Sequence, residues 1–141
     1  MRDLANNINL RPAFTPAAAV VDNTVQTSGI LDRAGYESVM LALVTGVESD
    51  TDATFTVAMN ESDDPAMAGA TPVDPSNLTG TTALASFDFS ADNAARKIGY
   101  VGYKRYVQAT ITPANNTGNL FVAGMWVLAG ARNLPTSQVP S

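Results

Sequence analysis

The sequence contains neither cysteine nor histidine. Without cysteine the chain can form no disulfide and offers no thiolate for catalysis or metal binding. Without histidine it lacks the side chain that most often transfers protons near neutral pH and most often binds metals. These two absences exclude whole classes of active site, and we predict that the protein is not an enzyme.

Charged residues are also scarce, at 15% of the 141 residues, against about 25% in an average globular protein. The 8 basic and 13 acidic side chains leave a net charge of −5. Because nucleic-acid binding requires clustered cations that neutralise phosphates, this balance predicts no nucleic-acid partner. The longest apolar runs, at 39–44 and 120–131, are too short to cross a bilayer, so we predict no membrane partner either.

Motifs for catalysis and metal binding are missing as well. Two acidic clusters, at 48–52 and 61–64, could present oxygens to calcium, but neither has the ligand spacing or the glycine of an EF-hand loop. The sequence contains no Gly-x-Ser-x-Gly nucleophile turn and no glycine-rich phosphate-binding loop. We therefore predict no catalytic residue, no metal site and no cofactor.

What the sequence does contain is the alternation of β-strands. In the segments 54–59 and 107–112, apolar and polar side chains alternate with a period of two, which is typical of a half-buried strand. Polar turns separate seven or eight such strands, and this spacing predicts an all-β antiparallel β-sandwich or jelly-roll-like single domain. The predicted core comprises Phe55, Val57, Met59, Val107, Ile111, Val122 and Trp126.

Two runs, at 39–44 and 120–128, are apolar on both faces of the predicted strand. Such a strand must be covered on both sides, either by a loop of its own domain or by a partner subunit. Both explanations stay open at this point. The segment 113–118 is rich in turn residues and predicts a hairpin loop between the strands on either side of it.

The sequence predicts three units: an N-terminal arm over 1–12, a β-sandwich domain over 13–131 and a C-terminal tail over 132–141. Asparagines and a proline interrupt any regular pattern in the arm, and two prolines lie in the tail. The first residues are too polar for a signal peptide, so we expect synthesis and use in the cytoplasm.

The segment 98–107 is the most distinctive in the chain, with three tyrosines and two cations in ten residues. Tyrosine and arginine are enriched in protein interfaces. Ten acidic and no basic residues lie between 34 and 95, whereas four of the eight cations lie between 96 and 105. This asymmetry favours a docking surface with a basic patch or, for Arg96 and Lys97, local ion pairs within the monomer. The predicted assembly interface comprises Leu4, Ile8, Leu10, Tyr100, Tyr103, Lys104 and Arg105.

In three places, at 1–8, 98–107 and 127–135, the sequence resembles the capsid cement, or decoration, proteins of tailed bacteriophages. The stretches 35–38 and 60–63 are similar to the same family. The resemblance implies a β-sandwich, often a homotrimer, that binds the outside of the shell formed by the major capsid protein and stabilises it by bridging neighbouring subunits. It implies a location on the virion surface after synthesis in the host bacterium, and it carries over no catalytic residue.

Two other functions remain open from the sequence. The first is a different structural component of the virion, such as a tail-tube, head-completion or fibre protein. The second is a carbohydrate-binding β-sandwich that uses Trp126 and the tyrosines as a platform for sugars. Because Trp126 lies within an apolar strand, its burial in the core is the favoured prediction.

Overall fold

The computed structural model describes residues 2–138 and is nearly all β, with 46% of the chain in strands and 5% in helices. The strands are β1 Ile8–Phe14, β2 Gln26–Thr27, β3 Leu31–Asp32, β4 Tyr36–Thr45, β5 Thr54–Ser62, β6 Thr71–Pro72, β7 Leu78–Thr79, β8 Phe87–Asp88, β9 Ala95–Tyr100, β10 Tyr106–Ala114 and β11 Val122–Ala131. One turn of α-helix, α1, spans Thr82–Ala85, and a 3-10 turn spans Pro75–Asn77. No helix among the described residues is long enough to cross a membrane.

The strands form two antiparallel sheets that pack face to face. The first sheet has the order β1-β11-β4-β9-β7, and the second has the order β2-β10-β5-β6, with β3 also paired to β10 and β8 to β5. The predicted all-β sandwich is confirmed. Six strands of six or more residues carry the two sheets, and the other five strands have two residues each.

The core lies between the sheets and is filled by one face of each long strand. All seven residues predicted for the core are buried. Phe55 stacks on Phe87 with ring centroids 5.0 Å apart. Trp126 is almost fully buried, so it cannot serve as a platform for sugars in this fold. Strict alternation along β5 and β10 was therefore a correct guide to which side chains face inward.

The hairpin predicted at 113–118 is wrong. β10 belongs to the second sheet and β11 to the first, so the segment between them crosses from one sheet to the other. Asn116 holds this crossing in place, because its buried side-chain amide donates to the backbone carbonyls of Val20 and Asp22. Turn residues mark where a strand ends, but they do not determine which strand the chain pairs with next.

The boundary predicted at residue 12 falls inside a strand. Residues 8–14 form β1, which pairs with the free edge of β11 from Ile8↔Ala129 to Phe14↔Gly124. The pairing satisfies backbone groups that β11 would otherwise expose at its edge. Asn9, one of the asparagines that suggested an arm, faces inward and donates to the hydroxyl of Tyr36.

Part of the predicted C-terminal tail is tied to the start of the chain. The backbone N–H of Thr136 donates to the carbonyl of Asn6, and the side-chain amide of Gln138 donates to the carbonyl of Ala5. Residues 2–7 and 132–138 therefore lie together at one end of the sandwich. The first residue of the predicted arm and the last three of the predicted tail lie outside the described residues.

Candidate assembly surfaces

The two tyrosines predicted for the interface have opposite environments. β9 alternates so that Ile98 and Tyr100 face the core, and Tyr100 is buried. The hydroxyl of Tyr100 donates to the carboxylate of Glu61 and accepts from the backbone N–H of Lys104 at 3.0 Å. Tyr103 lies beyond the end of β9, and 91% of its surface is exposed. Tyr103 can therefore contact a partner, whereas Tyr100 offers no surface for one.

Gly102 explains how the chain turns between these tyrosines. A Cβ atom at position 102 would lie only 2.5 Å from the hydroxyl oxygen of Tyr100. Only glycine allows the backbone to pass this closely over the buried phenol. The close crossing directs the next residue, Tyr103, away from the protein.

The buried phenol of Tyr100 predicts a specific loss of stability at high pH. Burial and the bond to Glu61 raise its pKa to about 12, above the value of about 10 expected in the unfolded chain. A raised pKa means that the neutral phenol stabilises the fold fully below pH 10, and that this contribution is lost as the pH rises from 10 to 12. We expect the free energy of unfolding, measured with urea, to fall more steeply over this range in the wild type than in Tyr100→Phe. Tyr103→Phe is the control, and an equally steep fall in wild type and Tyr100→Phe would contradict the assignment.

Lys104 and Arg105 form ion pairs within the chain. The ammonium of Lys104 lies 2.5 Å from the carboxylate of Asp63, and the guanidinium of Arg105 makes two bonds of 2.9 Å to Asp32. The hydrogen bonds from these cations lower the pKa of Asp63 and of Asp32. Among the described residues, Arg96 and Lys97, for which local pairing was the alternative explanation, form no such ion pair.

The predicted interface residues of the N-terminal segment lie on two surfaces. Leu4 is exposed at the end of the sandwich, beside the C-terminal residues. Leu10 lies on β1 with its side chain on the outer face of the first sheet, and Ile8 is half-buried two residues before it. These residues do not form one continuous contact with Tyr103.

The outer face of the first sheet is apolar across four strands. Cross-strand register places Leu10 beside Val127 and Val127 beside Met40, and the next row runs from Pro12 through Met125 to Ala42. We call the following set the apolar face: Ile8, Leu10, Pro12, Met40, Ala42, Val44, Ala95, Gly99, Ala123, Met125, Val127 and Ala129. Ser38 and Lys97 complete its rows, and Lys97 is the only charged residue among them.

The outer face of the second sheet has the opposite character. Its cross-strand rows pair Thr56 with Thr112, Ala58 with Thr110, and Asn60 with Gln108. We call these six residues, together with Thr27 and Thr54, the threonine face. Half-buried strands with hydroxyl and amide side chains outward are typical of a sheet that faces water. One sandwich thus has one outer face suited to solvent and one suited to contact.

The structure also explains why the segments 39–44 and 120–128 are apolar on both faces. Their inward residues fill the core, and the outward residues of β4 and β11 belong to the apolar face. Phe121, which precedes β11, is exposed outside that set. No loop of the described chain covers this face, since 48% of Leu10, 51% of Val44 and 43% of Met125 is exposed. Of the two explanations that the sequence left open, a covering loop is therefore excluded within residues 2–138.

Tyr103 lines two open depressions at one end of the sandwich. The first, of about 580 Å³, borders the apolar face at Met40 and Lys97. The second, of about 470 Å³, is lined by Arg105 and Arg132. Arg33 and Glu37 contribute to both depressions. We call the exposed residues that line them the Tyr103 end, which comprises Val101, Tyr103 and Arg132.

Carboxylates dominate the opposite end of the sandwich, and they hold loops together. Asp50 accepts from both the backbone N–H and the hydroxyl of Thr117, and Asp92 accepts from the backbone N–H of Glu48. Within residues 2–138, no three acidic side chains converge in an arrangement that could hold a metal ion. These acidic residues therefore have a structural explanation.

Comparison with known proteins yields a likeness of fold. No family model matches the chain, and no curated protein matches it. Among solved structures, the chain is similar over its full length to the PBSX exported protein XepA, with a TM-score of 0.53 and 12% identity, and it spans 44% of that chain. A family two carbohydrate esterase from Cellvibrio japonicus matches over 92% of this chain and 36% of its own, at 10% identity and a TM-score of 0.36, which is too low to support an argument.

Proposed function

We propose that the protein is a structural component of a bacteriophage particle, which binds the outside of the capsid and stabilises it by bridging neighbouring major capsid subunits. The observation that carries this proposal is the Tyr103 end, where an exposed tyrosine lies between two depressions. Exposed aromatic residues that anchor in a partner's pocket dominate the energy of many protein interfaces.

The charges around Tyr103 support docking on an acidic protein surface. The described part of the chain contains no ion pair that involves Lys97 or Arg132. Both cations line a depression beside Tyr103, although the whole chain carries a net charge of −5. Such a local excess of positive charge steers a partner with exposed carboxylates into one orientation.

Two independent similarities support the proposal that the protein belongs to a phage particle. The sequence resembles capsid cement proteins at 1–8, 98–107 and 127–135, and the fold is similar to that of XepA, an exported protein of the phage PBSX. Since the chain spans less than half of XepA, we transfer no activity or partner from that protein.

Bridging requires that one particle of the protein contacts more than one capsid subunit. A homo-oligomer presents several Tyr103 ends at once, so modest individual contacts combine into high avidity. Capsid subunits joined in this way separate less readily under the outward pressure of packaged DNA. The proposed partners are therefore the major capsid protein and further copies of this chain.

The direct experiment uses mature heads from which the protein has been stripped. We expect the purified protein to co-sediment with these heads and to raise the temperature at which they release DNA. A protein of similar size and charge that does not belong to the particle is the control for trapping in the pellet. Binding to tails or to completion proteins without binding to heads would overturn the capsid assignment in favour of another virion component.

A further inference from the structure

We infer that the apolar face is the site at which a second copy of this chain docks, sheet against sheet, to form a dimer. The inference goes beyond the proposed function and does not depend on it, because the capsid contact is assigned to the Tyr103 end. It starts from the contrast between the apolar face and the threonine face. If both faces met water, nothing would favour alanine, valine and methionine on one and threonine and asparagine on the other.

The size of the apolar face fits a partner of the same kind. β4 and β11 have ten residues each, β1 has seven and β9 has six. At about 3.3 Å per residue and about 4.8 Å between strands, these four strands cover roughly 500 Å². Specific interfaces begin at about 600 Å² per partner. The apolar face therefore supplies most of the area that a dimer needs, and residues at its rim must supply the rest.

The shape of the face also matches itself. Four neighbouring strands form this surface, with one register shift near the end of β1. Two twisted sheets pack face to face when their strands are nearly aligned. The outward side chains are small alanines and flexible methionines, which interdigitate with little strain.

Local charge does not oppose the docking of a second copy at this face. The face contains no acidic residue, so two copies can approach here without bringing carboxylates together, although each chain carries a net charge of −5. Lys97 lies on β9, towards one side of the face. Its aliphatic stem can lie along the partner while the ammonium reaches water at the rim.

The test is the mass of the full chain in solution, measured by sedimentation equilibrium over a range of concentrations. We expect the mass of two chains for the wild type. Met125→Glu places a charge at an exposed position of the apolar face and should weaken dimerisation at least about a hundredfold. The matched control is Thr56→Glu, an exposed position on a central strand of the threonine face, which should leave the dimer unchanged. Circular dichroism and the unfolding temperature establish that both variants fold, and Val44→Glu replaces Met125→Glu if that variant does not.

Two results would overturn the inference. One is a monomeric wild type over the whole range of concentrations, and if Met125→Glu then also abolishes capsid binding, the apolar face is assigned to the capsid protein. The other is a mass of three chains, as the trimer expected from the family resemblance requires, because face-to-face docking joins copies in pairs. A dimer that fails to bind heads would instead contradict the proposed function and leave the inference intact.

Discussion

Deletion of residues 2–12 should remove more than about 5 kcal/mol from the free energy of unfolding, which is most of the stability of a typical small domain. The deleted segment includes most of β1, whose backbone pairs with β11 at six register positions. Each lost backbone hydrogen bond contributes about 0.5–1.5 kcal/mol. Phe14, which pairs with Gly124, remains in the chain but loses the strand that holds it in the core. Urea denaturation followed by circular dichroism measures the effect.

The matched control is a shorter deletion of residues 2–4, which leaves β1 and the bonds of Thr136 and Gln138 to the N-terminal segment in place. We expect it to change the free energy of unfolding by less than about 1 kcal/mol, as is usual for exposed terminal residues. Equal urea midpoints for the long deletion and the wild type would contradict the role of β1. The shorter deletion also removes Leu4, so it tests that residue in capsid binding without disturbing the sheet.

Replacing Tyr103 by alanine should weaken attachment to stripped heads at least about thirtyfold, as expected for an aromatic anchor at the centre of an interface. The fold should be unaffected, because the side chain is almost wholly exposed in the free protein. Replacing Lys104 and Arg105 together by glutamine should weaken attachment by less than about threefold, since exposed ion pairs contribute little and are screened by salt. Both cations already have partners within their own chain, Asp63 and Asp32.

Co-sedimentation at low and high salt compares these variants. Tyr103→Phe removes only the hydroxyl, so it tests the contribution of the hydroxyl separately from that of the ring. Phe89→Ala is a control in which an exposed aromatic side chain is lost near the opposite, acidic end. We expect Tyr103→Phe and Phe89→Ala to bind nearly as the wild type does. If the double glutamine variant fails to bind while Tyr103→Ala binds normally, charge and not the aromatic anchor holds the protein on the capsid.

The segment 98–107 shows how much of an interface can be predicted from the composition of a short stretch of sequence. The composition of 98–107 does not distinguish Tyr100 from Tyr103. Tyr100 still follows the alternation of β9 and faces the core, whereas Tyr103 lies where the strand has ended. The end of a strand depends on where its partner strands end, and those partners are remote in sequence.

The ion pairs illustrate the same limit. In the sequence, Lys104 and Arg105 suggest an unpaired basic patch. In the structure both are paired with carboxylates, which lie 41 and 73 residues away in the sequence. The same holds for β1, which pairs with β11 across more than a hundred residues. The polar residues near the N-terminus suggested an arm, because nothing in the neighbouring sequence indicates that β11 pairs with this segment.

By itself, the sequence determined the fold class, the inward faces of β5 and β10 and the absence of histidine and cysteine. These conclusions follow from composition and from a period of two, which are properties of neighbouring residues. Only the tertiary structure decided that the runs 39–44 and 120–128 share one uncovered apolar face, that Tyr103 alone of its pair is exposed, and that β1 closes the edge of the first sheet. The physical reason is that long-range strand pairing and register bring distant residues together, and no local pattern specifies that pairing.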